Sequence, residues 1–436
     1  MKLKNAWLIL FAALMVFCLS GCNTFSMDTD ALITPPELSG NMAPISKALS
    51  LSVTGEYQLK YPSSGDRRSA IVLEDINGDG TFEAFAFYST FDKETTTMHM
   101  NVIAFLDGVY RSVADMSIVA GGVEQIDFCD LDTDGTEEIL VGWEIYGSSE
   151  KQICVYSLDG SETVQLLSEK YTGFICCDIL GDETNQLLIQ QLNTSELTNT
   201  ATVYSLKKEG LKKIGSCVLD PEVKTASAPV LSTLSTGKNA VFIDEIKGAG
   251  AVTEVLVFRG GELKNPLLST KNNIENIRTL RSASIQCKDI NNDGVLEIPV
   301  ATNLPNAAKS DELLYYTNWC AFDGKNLITR QITVDNTLDG YYLKIPDEFA
   351  GRLAVIKDTE KHRRVLYYYD TQLDEVGDRL VTITVVPKKQ WDNKDFNRLN
   401  MFEIARNDTD IFAGAVNSTA KHAITEEQIR EMFELN

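Results

Sequence analysis

Residues 130–141 read Asp130-Leu131-Asp132-Thr133-Asp134-Gly135-Thr136-Glu137-Glu138-Ile139-Leu140-Val141. Side-chain oxygens at places one, three and five, a glycine at six and an acid at nine describe a turn that wraps a hard cation. The apolar run behind it reads as a buried strand. The same design recurs at Asp75-x-Asn77-x-Asp79-Gly80-x-x-Glu83 and Asp289-x-Asn291-x-Asp293-Gly294-x-x-Glu297. Two worn copies run from Asp178 to Gln186 and from Asp244 to Glu254. Successive first aspartates stand 55, 48, 66 and 45 residues apart. Self-similarity at that period belongs to solenoids and propellers.

The flanks support the propeller. Before the loops, Ile71 and Leu73, Ile126 and Phe128, Phe174 and Cys176 alternate with residues of mixed polarity, which describes a half-buried strand. After the loops, Ala84 to Phe87, Ile139 to Val141, Leu187 to Ile189 and Val255 to Phe258 are continuous apolar runs, read as strands covered on both faces. Asp107-Gly108, Asp159-Gly160 and Asp323-Gly324 are hairpin signals further on. Four strands joined by tight turns make one blade. Five blades are visible, with room for a sixth or seventh. The 66-residue interval is expected to hold a long loop around Pro221 to Thr236.

Strand, loop, strand and period together resemble the FG-GAP or VCBS repeats of integrin-like β-propellers, over about residues 55–335. The EF-hand is excluded, because it needs a bidentate acid at place twelve and Ala86, Val141 and Val300 stand there. Hard oxygen ligands without His or Cys select calcium over zinc. The expected ligand sets are Asp75, Asn77, Asp79, Thr81 and Glu83; Asp130, Asp132, Asp134, Thr136 and Glu138; and Asp289, Asn291, Asp293, Val295 and Glu297. Thr81, Thr136 and Val295 contribute backbone carbonyls. About three calcium sites follow, with a structural role. Leu180 and Gln186 spoil the third copy, and Lys247 and Ala249 spoil the fourth.

The N-terminus sets the compartment. Lys2 and Lys4 precede an apolar run from Ala6 to Leu19, and Leu19-Ser20-Gly21-Cys22 follows. A basic start, an apolar stretch and a small-residue cut site describe a secretory signal. The last four residues resemble the lipobox of bacterial lipoproteins, which implies a diacylglycerol on Cys22 and cleavage before it. Residues 1–21 are then the signal and 22–54 a lipidated tether with a short helix near Ile45 to Leu49. The lipid places the chain on the outer face of a bacterial membrane.

The chain has 436 residues, 40 basic against 62 acidic, and a net charge of −22. A nucleic-acid footprint would be basic, so that class is excluded. Seven cysteines follow Cys22, at 129, 154, 176, 177, 217, 287 and 320. Their odd number and lack of framework spacing read as small buried side chains, with room for one or two cross-blade bridges.

From residue 336 to 436 the repeat stops. Strands are expected at Leu353 to Lys357, Arg364 to Tyr369, Leu380 to Val386 and Met401 to Ala405. Thr425-x-x-Gln428 is a capping box opening a helix through Phe433. This reads as a small α+β domain, with extra propeller blades as the runner-up. Tyr367, Tyr368, Tyr369 and Trp391 read as core aromatics rather than a binding face.

No catalytic residue is assigned. His99, His362 and His422 fall in no metal-ligand spacing, and neither a nucleophile elbow nor a phosphate loop occurs. The expectation is a monomeric, surface-anchored, calcium-binding module for a protein or glycan partner. The alternatives are a carbohydrate-active enzyme on the same scaffold and a structural envelope-assembly factor.

Overall fold

The structure is a computed structural model. It describes residues 42–436 apart from 93–94, 148–149, 160–161, 270–273, 283–284, 306–314, 359 and 393–399. The signal, Cys22 and most of the tether lie outside the described residues.

Among the described residues, six antiparallel sheets succeed one another as the blades of a β-propeller. The second is the plainest. Gly122–Cys129, Glu138–Glu144, Lys151–Asp159 and Glu162–Tyr171 pair in chain order. The third repeats it with Gly173–Cys177, Gln186–Asn193, Thr198–Lys207 and Gly210–Val218. In the first, Tyr57–Leu59 and Ile71–Glu74 pair in line along one edge of Glu83–Asp92, and the helix Met42–Ser52 lies over the sheet's free face. Ile45, Ala48 and Leu49 of that helix pack on Ala84, Ala86 and Tyr88.

Strand alternation explains how the blades stack. Ile139 and Val141 face Phe85, Phe87 and Met100 of the first sheet. Leu140, between them, faces Phe174, Leu187 and Ile189 of the third, because successive side chains point to opposite faces. Leu188 in turn faces Val241, Ile243 and Leu256 of the fourth. The continuous apolar runs are therefore needed: each second strand is buried between two neighbours. At about 1.5–3 kcal/mol per buried large side chain, these seams dominate the stability. Trp143, fully buried where the first two sheets meet, is the largest such side chain.

The fourth blade departs from the sequence reading. Its first strand is the broken pair Thr225–Ala226 and Val230–Thr233, inside the segment expected to be a loop. Pro229, which cannot donate to a ladder, falls in the break. Thr233 pairs with Asn239, and Leu234 N–H donates to Lys238 O at 2.7 Å to close the turn. Asp244 thus lies within the second strand, Asn239–Lys247, and the segment from Asp244 to Glu254 is a hairpin tightened at Gly248. It does not correspond to the other acidic loops.

The expected boundary at residue 336 also falls inside a sheet. Leu327–Asn336 pairs with Tyr341–Lys344, which pairs with Phe433–Leu435, completing the fifth sheet. Leu353–Asp358, Arg363–Asp370, Glu375–Pro387, Asp410–Val416 and Phe402–Arg406 form a sixth. Tyr316 and Val334 of the fifth share one core with Leu366, Ile383 and Phe412 of the sixth. The segment 336–436 thus pairs with the fifth sheet and shares a core with it. The helix Glu426–Met432 carries both capping-box bonds of Thr425 and Gln428. No helix among the described residues is long and apolar enough to cross a membrane.

Candidate cation-binding rim

The acidic loops join the first and second strands of their blades and share one backbone. Places four and six adopt the left-handed region throughout: Gly78 and Gly80, Thr133 and Gly135, Gly181 and Glu183, Asn292 and Gly294. Place six favours glycine for that reason; the requirement at place four was not anticipated. The first aspartate accepts the N–H of place six in every copy, from Gly80 at 2.8 Å, Gly135 at 3.0 Å, Glu183 at 2.9 Å and Gly294 at 2.8 Å. The fifth-place aspartates accept from place seven, Thr81 at 2.7 Å, Thr136 at 2.7 Å and Val295 at 2.9 Å. In the second loop, one oxygen from each of Asp130, Asp132 and Glu138 lies within 4.8 Å of the others. Among the described residues that is the single such grouping of three acidic, histidine or cysteine side chains; the first and last loops carry asparagine at place three.

The ninth place is decisive. Glu83, Glu138 and Glu297 are buried, and each accepts the N–H of place two: Ile76 at 3.3 Å, Leu131 at 3.0 Å and Ile290 at 3.1 Å. Glu297 Oε1 is buried with no hydrogen-bond partner. Burial drives Glu138 up to about 7, the Leu131 N–H offsets part of this, and the carboxylates of Asp132, Asp134 and Asp130 add to it. Glu83 and Glu297 are raised for the same first cause. In the third loop Gln186 Oε1 takes the same N–H, from Ile179 at 3.1 Å. Its Nε2 donates to Thr184 O and Thr184 Oγ1, both at 2.7 Å. Thr184 is place seven, the carbonyl expected to ligate elsewhere. An amide nitrogen thus stands in the third loop where the other three carry a carboxylate oxygen.

The loops are tied from blade to blade. Glu137 N–H donates to Ile76 O at 2.7 Å, Asn185 Nδ2 to Asp130 O at 3.0 Å and Asn239 Nδ2 to Asp178 O at 2.5 Å. Leu296 N–H reaches Ser232 Oγ at 3.1 Å. Cys129 and Cys176, beside the second and third loops, form a disulfide across the same seam. The burial reading suits Cys154, Cys177 and Cys320, while Cys217 and Cys287 are half-buried. Sequence spacing did not identify the bridged pair.

The remaining candidates converge less well. A cavity of 270 Å³ is lined by Arg281, Tyr315, Thr317, Asp335, Lys357 and Arg364. Its one acid, Asp335, accepts from Thr317 and from Thr333. The converging carboxylates that glycoside hydrolysis needs are not part of that lining. His99 lies 3.0 Å from Thr90 Oγ1 and 3.0 Å from Asp115 Oδ2, in the order of a catalytic triad. Asp115 also accepts from Tyr88 and Asn101, and the cavity does not reach this group. His99 therefore reads as a stacked, hydrogen-bonded partner of Tyr88. Of the aromatics expected in the core, Tyr369 is buried, while Tyr367, Tyr368 and Trp391 are half-buried, and Tyr368 stacks on His422 at 4.0 Å.

No protein-family model and no curated protein matches the chain. Solved structures overlap it loosely. An exotype rhamnogalacturonan lyase aligns with 74% of this chain and 83% of its own at 12% identity and a TM-score of 0.31. A Bacillus licheniformis rhamnogalacturonan lyase gives 85%, 93%, 12% and 0.31 in the same order. A Pseudomonas aeruginosa periplasmic gluconolactonase gives 75%, 95%, 11% and 0.28. Likeness at this level carries no argument about the reaction, and the fold stands on the sheets themselves.

Proposed function

We propose that this chain is an exported, lipid-anchored β-propeller whose blades are stiffened by calcium and whose surface binds a protein or glycan partner. The observation that carries the cation reading is the ninth-place contrast. Three blades bury a glutamate there, one with an oxygen that nothing satisfies, whereas the blade with glutamine supplies its own donor. Burying an uncompensated carboxylate is costly, and a cation held by the first, third, fifth and ninth side chains and the seventh carbonyl removes that cost. Its chemistry is charge neutralisation and turn fixation. The Cys129–Cys176 bridge supports export, since such bonds persist in oxidising compartments. It agrees with a leader ending at Gly21, just before Cys22, where the diacylglycerol would sit.

Calorimetric titration of metal-free protein with calcium tests this reading. Three ions per chain are expected, falling to two in Glu138→Gln. No binding at millimolar calcium would sink the cation reading. Cross-linking of the tagged protein on cells, with calcium and with chelator, then addresses the partner, which should be captured only with calcium.

The third loop gives a converse prediction. Its backbone already matches the others, so Leu180→Asp with Gln186→Glu should raise the stoichiometry from three ions to four. An unchanged count in a folded double variant would mean that side chains alone do not make the site.

A further inference from the structure

On the seam between the third and fourth blades lies a polar cluster that the cation loops do not use. Asp220, Glu245 and Glu254 are completely buried, as are Gln190 and Asn276, and Asn199 nearly so. One ammonium, Lys247, reaches them; it contacts Asp220 Oδ2 at 2.7 Å and Glu222 at 3.3 Å. The remaining partners can be counted atom by atom. Asp220 also accepts the N–H groups of Glu222 at 2.9 Å and Asn276 at 2.7 Å. Glu254 accepts from Asp220 N–H at 3.0 Å and from Asn265 and Asn276 at 2.5 and 3.3 Å. Every oxygen of these two carboxylates therefore has a donor, although burial still pushes Glu254 up to about 7.

Glu245 differs. Its Oε1 accepts from Gln190 Nε2 at 2.6 Å and Asn199 Nδ2 at 2.7 Å, both from the third blade. Its Oε2 is buried without a partner, and so is Gln190 Oε1 on the amide it already contacts. Two acceptors without a donor on one interacting pair lack one hydrogen. A buried acceptor left unsatisfied is costly, more so if charged, and a proton on Oε2 removes the charge while supplying a donor. A metal ion would need six or more oxygens if it were calcium, and the grouping of three acidic ligands found in the second loop does not recur here among the described residues.

We propose that Glu245 is a neutral carboxylic acid at neutral pH and that the resulting acid–amide pair with Gln190 locks the third blade to the fourth. The groups around it agree. Burial raises Glu245 well above the carboxylate range, the Glu254 and Asp220 carboxylates add to this, and the Asn199 and Gln190 donors offset part of it. Lys247, on the same strand, is engaged by Asp220 and Glu222. The linkage has a definite sign. A carboxyl raised on folding contributes stability that is fully present below its ordinary value of 4.5 and is lost as pH rises through its folded value. The lock therefore loosens toward alkaline pH.

Infrared spectra and a Glu245→Gln variant test the proposal, both in saturating calcium. The wild type should show a protonated-carboxyl band at pH 7 that disappears on alkalinisation and is weakened in Glu245→Gln, the remainder belonging to Glu254, which burial pushes up to about 7. Wild-type stability should fall as the pH rises above neutrality, and the isosteric variant should lose much of that slope. Absence of the band from the wild type, which needs no variant to fold, would overturn the proposal. So would an unchanged slope in a folded variant, or one metal ion fewer per chain in Glu245→Gln.

Discussion

Millimolar calcium is expected to raise the unfolding free energy of the metal-free protein by about 4 kcal/mol. Extracellular loops of this kind bind calcium at about 10⁻⁴ to 10⁻³ M. At the tighter end, 1 mM calcium is about tenfold above the dissociation constant and each site adds about 1.4 kcal/mol by mass action. Three sites give the total, and Glu138→Gln should remove about a third of it. The effect is structural because the loops are not isolated turns: Glu137 ties the second to the first, Asn185 ties the third blade to the second, and Leu296 ties the last to the fourth blade. Denaturant melts in calcium and in chelator provide the measurement. Coincident midpoints would mean that no ion contributes to folding.

Opening the Cys129–Cys176 bridge is the second large effect. The bond joins residues 47 apart in sequence, and a loop of that size is worth about 4 kcal/mol in the chain-entropy treatment. Cys129→Ser should lose an amount of that order in urea, with a somewhat steeper denaturant slope because the unfolded chain expands further. The blades themselves should persist, since Leu140, Phe174 and Leu187 hold the same seam by burial. A variant as stable as the wild type, or one insensitive to reductant in both forms, would show that the bond contributes nothing in solution.

Much of the propeller was legible because its signals are local. The acid spacing of Asp130 to Glu138 and the run Ile139 to Val141 sit within a dozen residues, and strand and loop follow from them. The sixth blade carries no such loop, so four of its strands were expected while Asp410–Val416 and their shared membership were missed. The fourth blade was misread because Pro229 breaks its first strand while Asp244 and Glu254 imitate a worn loop. Asp244 in fact pairs with Arg281 at 2.5 Å, and Glu254 belongs to the buried cluster; neither partner is close in sequence. The choice of Cys176 for Cys129, the blade-to-blade bonds and the amide of Gln186 against Thr184 depend on folded distances that spacing does not encode.

The helix Met42–Ser52 has a mechanical consequence. A pull arriving from residues before 42 reaches this helix first. It is held on the first sheet by three buried side chains, Ile45, Ala48 and Leu49. Next in line is the strand Tyr57–Leu59, paired over three residues at the sheet's edge. Both can yield in turn, like a tear-away strip, before force reaches Ser63 and Ser64, whose N–H groups bond Val123 O and Glu124 O of the second blade. The chain thus carries slack of about 20 residues, roughly 70 Å when drawn out, that absorbs shear before the second blade is loaded.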